Sequence, residues 1–312
     1  MKILITGGAG FIGSHIADRY LAAGHDVVVV DDLSTGKRAN IPAAATFYEV
    51  DIRDPASEQL IADERPDVIS HHAAQMDVRV AVSNPRHDAS INVMGALNVL
   101  EAARQVRARV IFASTGGAVY GEPTTLPVCE TAPLEPMSPY GLSKQVFEHY
   151  LSLYQRLHGL KYTVLRYGNV YGPRQDPKGE AGVVAIFAGQ VLRGEESKIF
   201  GDGSKTRDYL HVSDVATANM LAIEDSQNAI YNVGCGQGIT DLEVFRTICR
   251  AAGVKREPTF APPRLGELAH IHLSCEKISR TLGWAPTFDF ESGIADSVGW
   301  YRDRESEARQ SG

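Results

Sequence analysis

The chain has 312 residues, enough for one large or two smaller domains with a sizeable core. Its 44% hydrophobic and 22% charged content is that of a globular protein, and a net charge of −7 speaks against nucleic acid as a main partner, because phosphate contacts need a basic face. The four cysteines are far apart and form no CxxC, which points to buried thiols in a reducing, cytoplasmic compartment; no signal peptide or bilayer-spanning stretch is expected.

Lys2 to Thr6 is a short apolar run that reads as a buried strand, and Gly7-Gly-Ala-Gly10-Phe11-Ile12-Gly13 turns it into a helix expected from about Ser14. Glycine is needed in such a turn where φ is positive or where a Cβ would strike a pyrophosphate. The helix N-terminus beyond it favours anions. A second strand, Val27 to Val30, ends in Asp31-Asp32. An acid about twenty residues past the glycines suits the ribose diol of a dinucleotide and would repel a 2′-phosphate, so NAD is expected rather than NADP.

The first half continues to alternate strand and helix. Thr46 to Val50 reads as a strand, and Asp51-Ile52 beyond it either holds an adenine or simply ends the strand. A helix is expected over Ala56 to Glu64 and a strand over Asp67 to Ser70, followed by His71-His72-Ala73-Ala74-Gln75, where small residues let a cofactor approach the backbone. The adjacent histidines point to opposite faces and are not accompanied by an acid or cysteine cluster, so no metal is expected. Ala89 to Arg107 reads as a long helix containing the polar Asn92, and Arg109 to Ala113 as a strand ending in Ser114-Thr115-Gly116-Gly117. Ligands in open parallel sheets bind beyond the carboxyl ends of strands, which is where these hydroxyls fall; a strand-capping turn is the plainer reading.

Glu122 to Pro139 is a loop with five prolines. Tyr140-Gly-Leu-Ser-Lys144 then opens a helix to about His158, with tyrosine and lysine four apart on one face. A phenol is a poor base near neutrality, and a neighbouring ammonium favours its phenolate. Tyr-x-x-x-Lys alone is a common surface pair. Its combination with the glycine turn, Asp31 and an upstream hydroxyl loop is not.

These motifs resemble the extended short-chain dehydrogenases/reductases, and among them the nucleotide-sugar epimerases, nearly end to end. The resemblance implies an α/β fold, a doubly wound parallel sheet of Rossmann type with a smaller C-terminal α/β substrate domain. Residues 1–168 would bind NAD, 169–312 would bind the nucleotide sugar, and the chain would return to the first domain around 208–235. It implies a catalytic set of Tyr140, Lys144 and a hydroxyl. Counting from the strand gives Thr115; counting back from Val119-Tyr120-Gly121 gives Gly116, which has no hydroxyl, so Thr115 is chosen and Ser114 is the fallback. The cofactor set implied is Gly7, Gly10, Phe11, Ile12, Gly13, Asp31, Asp32, Asp51, Ile52, Ala73, Ala74, Gln75, Asn92, Tyr140 and Lys144.

The substrate set is Ser114, Thr115, Asn169, Val183, Phe200, Arg207, Arg264 and Glu267. Asn169 and the two arginines would meet the diphosphate, the segments around Val183 and Phe200 the uracil, and Glu267, in place of the commoner Asp, the uridine ribose. For Arg207 a surface ion pair with Asp208 is the plain alternative. The activity implied is inversion at C4 of a UDP-hexose, interconverting UDP-glucose and UDP-galactose through a 4-keto sugar with NAD tightly held, in a homodimer. UDP-glucuronate and UDP-N-acetylhexosamine remain alternatives, with Arg174 a candidate cation for the uronate. Dehydratases and decarboxylases carry an acid where Gly116-Gly117 stand, and a non-enzymatic NAD sensor would not need the Tyr-Lys pair.

Overall fold

The computed structural model describes residues 1–177, 182–263 and 268–310. Its centre is a parallel sheet. Strands β1 (Lys2–Thr6), β2 (Asp26–Asp31), β3 (Thr46–Glu49), β4 (Val68–His71), β5 (Arg109–Thr115) and β6 (Tyr162–Tyr167) come from the first half. Three short strands, β7 (Asn169–Tyr171), β8 (Lys198–Phe200) and β9 (Thr206–Arg207), lie outside it, as does β10 (Tyr209–His211). The chain then returns through β11 (Ile230–Val233), giving the order β11-β6-β5-β4-β1-β2-β3. The order reverses beside β1, and the crevice beyond the carboxyl ends of the strands at such a point is where ligands bind.

Alternation along each strand builds two cores. Ile3, Ile5, Val27, Val29 and Ile111 face one side, where α1 (Phe11–Ala22) packs with Ile16 and Tyr20. Leu4, Val28, Val30, Ile69 and Phe112 face the other, against helices α2 (Ala56–Glu64), α5 (Ala96–Val106) and α6 (Pro139–His158), of which α5 and α6 contribute Leu100, Phe147 and Leu151, while α3 (Val78–Ser83) and α4 (Pro85–Ala89) pack on α6. Both faces covered by helices is what near-continuous apolar strands require. A third core joins α7 (Val183–Arg193) to two later helices through Val184, Phe187, Phe245, Ile248 and Ile294.

Several elements differ from expectation, each for a local reason. α1 starts at Phe11, not near Ser14, because extended Gly10 is its N-cap. The helix expected over Ala89 to Arg107 begins at Pro85, capped by the Asn84 side chain accepting from His87 N–H, and is interrupted by a π-helical turn, Ser90–Gly95. The C-terminal segment is helical over Phe290–Gln310.

α6 is held to the sheet by a buried ion pair. Arg166 donates to Glu148 from Nε at 3.0 Å and from a terminal nitrogen at 2.5 Å, Ser114 Oγ donates to the same carboxylate at 2.5 Å, and both charged side chains are at most 3% exposed. Replacing Glu148 by Ala strands the guanidinium in the core, and urea unfolding is expected to show a loss of about 3–5 kcal/mol.

Candidate active site

The carboxyl ends of β1, β2, β4 and β5 open onto a cleft of about 720 Å³. Gly7, Gly10, Phe11, Ile12 and Gly13 form its floor, with Asp31, Asp32, Asp51 and Ile52 at one end. Ala73 and Ala74 line the side wall, and Ala113, Ser114, Tyr140 and Lys144 stand at the other end.

The glycine turn is built for close backbone approach. Gly7 has φ +70°, and a Cβ there would stand 2.6 Å from Ala73 N; one on Gly13 would stand 2.2 Å from Gly7 O. No side chain caps α1 and no acid lies in its first turn, so its leading N–H groups face the cleft without a protein anion. Asp31 is buried and accepts from Ala9 N–H and Leu33 N–H, both at 2.9 Å, while burial pushes its carboxyl up from the usual range.

Ser138 caps α6 by accepting from Gly141 N–H, with Pro139 at the first helical position, and this fixes where Tyr140 emerges. Lys144 is 4% exposed. Its Nζ donates to Ala113 O at 2.9 Å and lies 4.8 Å from the Phe112 ring centre and 5.9 Å from that of Tyr140. Burial draws its ammonium down to about 8. His72, stacked on Tyr167, is drawn down to about 3 by burial and is neutral near pH 7.

Alternation along β5 separates the two candidate hydroxyls. Ser114 Oγ is buried and engaged with Glu148, whereas Thr115 projects from the opposite face. A Cβ on Gly117 would lie 3.8 Å from Thr115 Oγ1 and 3.5 Å from Asn169 Oδ1, so hydroxyl and amide oxygen converge on that bare glycine.

Other side chains are turned away from the cleft. Gln75 and Asn92, expected on the cofactor, are fastened to each other: Asn92 Oδ1 accepts from Gln75 N–H at 2.9 Å and its Nδ2 donates to Gln75 O at 2.7 Å. Both are buried and neither lines the cleft. Arg207 is not paired with Asp208. Its guanidinium donates to the carbonyls of Thr206, Leu268 and Ala269, and buried Asp208 accepts from the N–H groups of Cys235, Gly236 and Leu273. Val183 opens α7 and Phe200 ends β8, both half-buried and outside the cleft lining. Arg264 and Glu267 lie outside the described residues. Arg174 lines the cleft but is anchored by Asp18 of α1 at 2.7 Å, on the wall of the glycine turn.

Met76, Arg79, Lys37 and Asp176 line the cleft without having been singled out. Lys37 and Asp176 come from loops 139 residues apart and meet at 2.6 Å across its mouth. Nothing in either local sequence signals that meeting.

Residues 3–234 match the NAD dependent epimerase/dehydratase family. The chain belongs to that family. Its relatives include a UDP-glucose 4-epimerase of Mycolicibacterium smegmatis, 44% identical over 97% of this chain and 99% of the relative. Among solved structures, UDP-glucose 4-epimerase from Thermotoga maritima with UDP-glucose is 46% identical at a TM-score of 0.96, covering 98% of this chain and 100% of the other. UDP-glucose 4-epimerase from Thermus thermophilus in complex with NAD is 49% identical at a TM-score of 0.92, covering 97% and 99%. NAD is the family's cofactor, and the cleft fits it: the glycines leave backbone bare where a diphosphate needs access, and uncapped N–H groups point at it. Gly13→Ala forces its methyl into the Gly7 carbonyl, and protein purified with this change is expected to carry little or no NAD by absorbance and chromatography of the released nucleotide.

Proposed function

We propose that this protein is an NAD-dependent UDP-glucose 4-epimerase that interconverts UDP-glucose and UDP-galactose. The observation that carries the reading is the junction of Tyr140 and buried Lys144 with the inner end of the cleft whose floor is the glycine turn. NAD, when bound, supplies the hydride acceptor and donor. The protein's own residues do the rest. Tyr140 takes the proton of the sugar 4-OH on its phenol oxygen and later returns it. Lys144, an ammonium a short distance from the Tyr140 ring, lowers the cost of holding that oxygen as phenolate. Thr115 orients the hydroxyl that reacts; Ser114 is engaged elsewhere, which favours Thr115 for this role.

The substrate's nucleotide is assigned to the side carrying Asn169, Val183, Phe200 and Arg207, with Arg264 and Glu267 nearby in sequence to the carbonyls that Arg207 holds. Among the described residues, three hydrogen bonds leave two of the Arg207 N–H donors for a diphosphate. Anchoring through the remote nucleotide leaves the sugar free to present either face. The cofactor assignments of Gly7, Gly10, Phe11, Ile12, Gly13, Asp31, Asp32, Asp51, Ile52, Ala73 and Ala74 follow from their place on the cleft wall. Arg174, tied to Asp18, is on the cofactor side, which weighs against a uronate as substrate.

A homodimer in the cytoplasm completes the proposal. Met94 (62% exposed) and Leu157 (64%) stand out on the π-helical turn and on α6, with Leu142 also exposed, an apolar set that a second copy would cover. The cysteines are free thiols, but of the four expected to be buried only Cys249 is, and Cys129 is exposed.

Purified protein given UDP-galactose without added reductant is expected to form UDP-glucose. Tyr140→Phe should lose at least about a hundredfold in rate, the usual scale for a missing general base. Turnover of only UDP-glucuronate or UDP-N-acetyl sugars would reassign the substrate, and no turnover with any of them would overturn the epimerase reading. Light scattering should give twice the chain mass, falling to the monomer in a Met94→Glu, Leu157→Glu double variant.

A further inference from the structure

Lys144 is enclosed, and among the described residues its ammonium has a single neutral hydrogen-bond partner, Ala113 O. A buried charge needs a counter-charge. The titratable and charged groups around it are Tyr140 and Glu148 on α6, His71 at the end of β4 and His72 just beyond it, Arg166 and Tyr167 on β6, and Asp88 on α4. Burial keeps both histidines neutral near pH 7 and pushes the Tyr167 phenol up, so none of the three carries charge. Glu148 is matched by Arg166 at contact distance. That leaves Asp88.

Asp88 is 0% exposed. One oxygen accepts from Gln75 Nε2 at 3.1 Å and Asn92 Nδ2 at 2.9 Å; the other accepts from Ser143 Oγ at 2.6 Å. All three donors are neutral, and no lysine, arginine or histidine among the described residues pairs with it. Ser143 is the chain neighbour of Lys144. The buried set of Lys144, Arg166, Glu148 and Asp88 is thus neutral only if Asp88 balances Lys144.

We propose that Asp88 is a positioning residue for the reaction: its fixed, buried carboxylate is the counter-charge that keeps Lys144 an ammonium beside Tyr140. The inference rests on the reading of Tyr140 and Lys144 given above. The π-helical turn serves it, because Asn92 on that turn holds Asp88 with the same Nδ2 that grips the Gln75 backbone. A fold that only needed shape here would be satisfied by a neutral amide.

Asp88→Asn supplies that amide. Its oxygen can accept from Gln75 and Asn92 and its nitrogen can donate to Ser143 Oγ, so the three bonds persist and the charge alone is lost. Lys144 is followed in NAD-loaded protein by NMR of ε-13C-lysine across pH, with Lys144→Met identifying its resonance. In Asp88→Asn its midpoint is expected to fall by on the order of one pH unit, since removing a nearby negative charge favours the neutral amine. The alkaline limb of the kcat profile should move down with it. Ser143→Ala, which removes one bond and keeps the charge, should leave the midpoint in place.

An unmoved midpoint in Asp88→Asn, an equal fall in Ser143→Ala, or failure of Asp88→Asn to fold would each overturn the proposal, because each makes the role one of shape. The NMR readout needs no turnover. A shifted midpoint in a protein that epimerises nothing would therefore sustain the Asp88 role and sink only the epimerase reading.

Discussion

The buried pair of Glu148 and Arg166 is the constraint on which the site's geometry depends. Glu148 lies eight residues beyond Tyr140, about 12 Å along α6. Its carboxylate is gripped by Arg166 of β6 and by Ser114 of β5, and Arg166 also donates to Tyr120, whose hydroxyl donates to Asn232 of β11. Three adjacent strands and the helix are therefore locked in one hydrogen-bonded set. A slip of one residue in α6 would turn Tyr140 by about 100° around the helix and break the bonds that Glu148 accepts from Arg166 and Ser114. Apolar residues could fill the same volume with equal or better stability, but they would not fix the rotation of the helix.

From that anchored helix the site divides by chemistry. At the floor, backbone groups matter and side chains are in the way: Gly7 and Gly13 are defined by atoms that any Cβ would strike. At the inner end, side chains matter and water is excluded, so Lys144 feels burial strongly while the histidines beside it are neutral. Thr115 and Ser114 are neighbours in sequence with opposite fates. The strand's alternation gives one to the interior and the other to the face that carries Asn169 and Gly117.

The parts legible in the sequence were those decided by local geometry. The glycine spacing, the acid at Asp31 and the Tyr140–Lys144 spacing each need only a few consecutive residues. The helix Ala56–Glu64 was read to the residue for the same reason. What was not legible depends on partners far along the chain. Asn92, placed on the cofactor by the resemblance, has its amide taken up by the backbone of Gln75, 17 residues away and just beyond a neighbouring strand. Arg207 was read as a grip on diphosphate, with an ion pair to Asp208 as the plainer alternative; the two side chains part, one to carbonyls 61 and 62 residues on, the other to buried N–H groups. The π-helical turn has no period that distinguishes it from ordinary helix in a row of residues.

The contact of Lys37 with Asp176 spans the mouth of the cleft, and both side chains are well exposed, at 50% and 39%. A pair in that setting is worth at most about 1 kcal/mol, roughly a fivefold change in any escape rate, and salt screens it further. Whatever holds a dinucleotide here through many turnovers must therefore be the enclosed floor and walls, with the clasp as a minor adjustment. Retention is then a property of folding: the cofactor behaves as an internal part, and ionic strength is a weak dial on how long it stays.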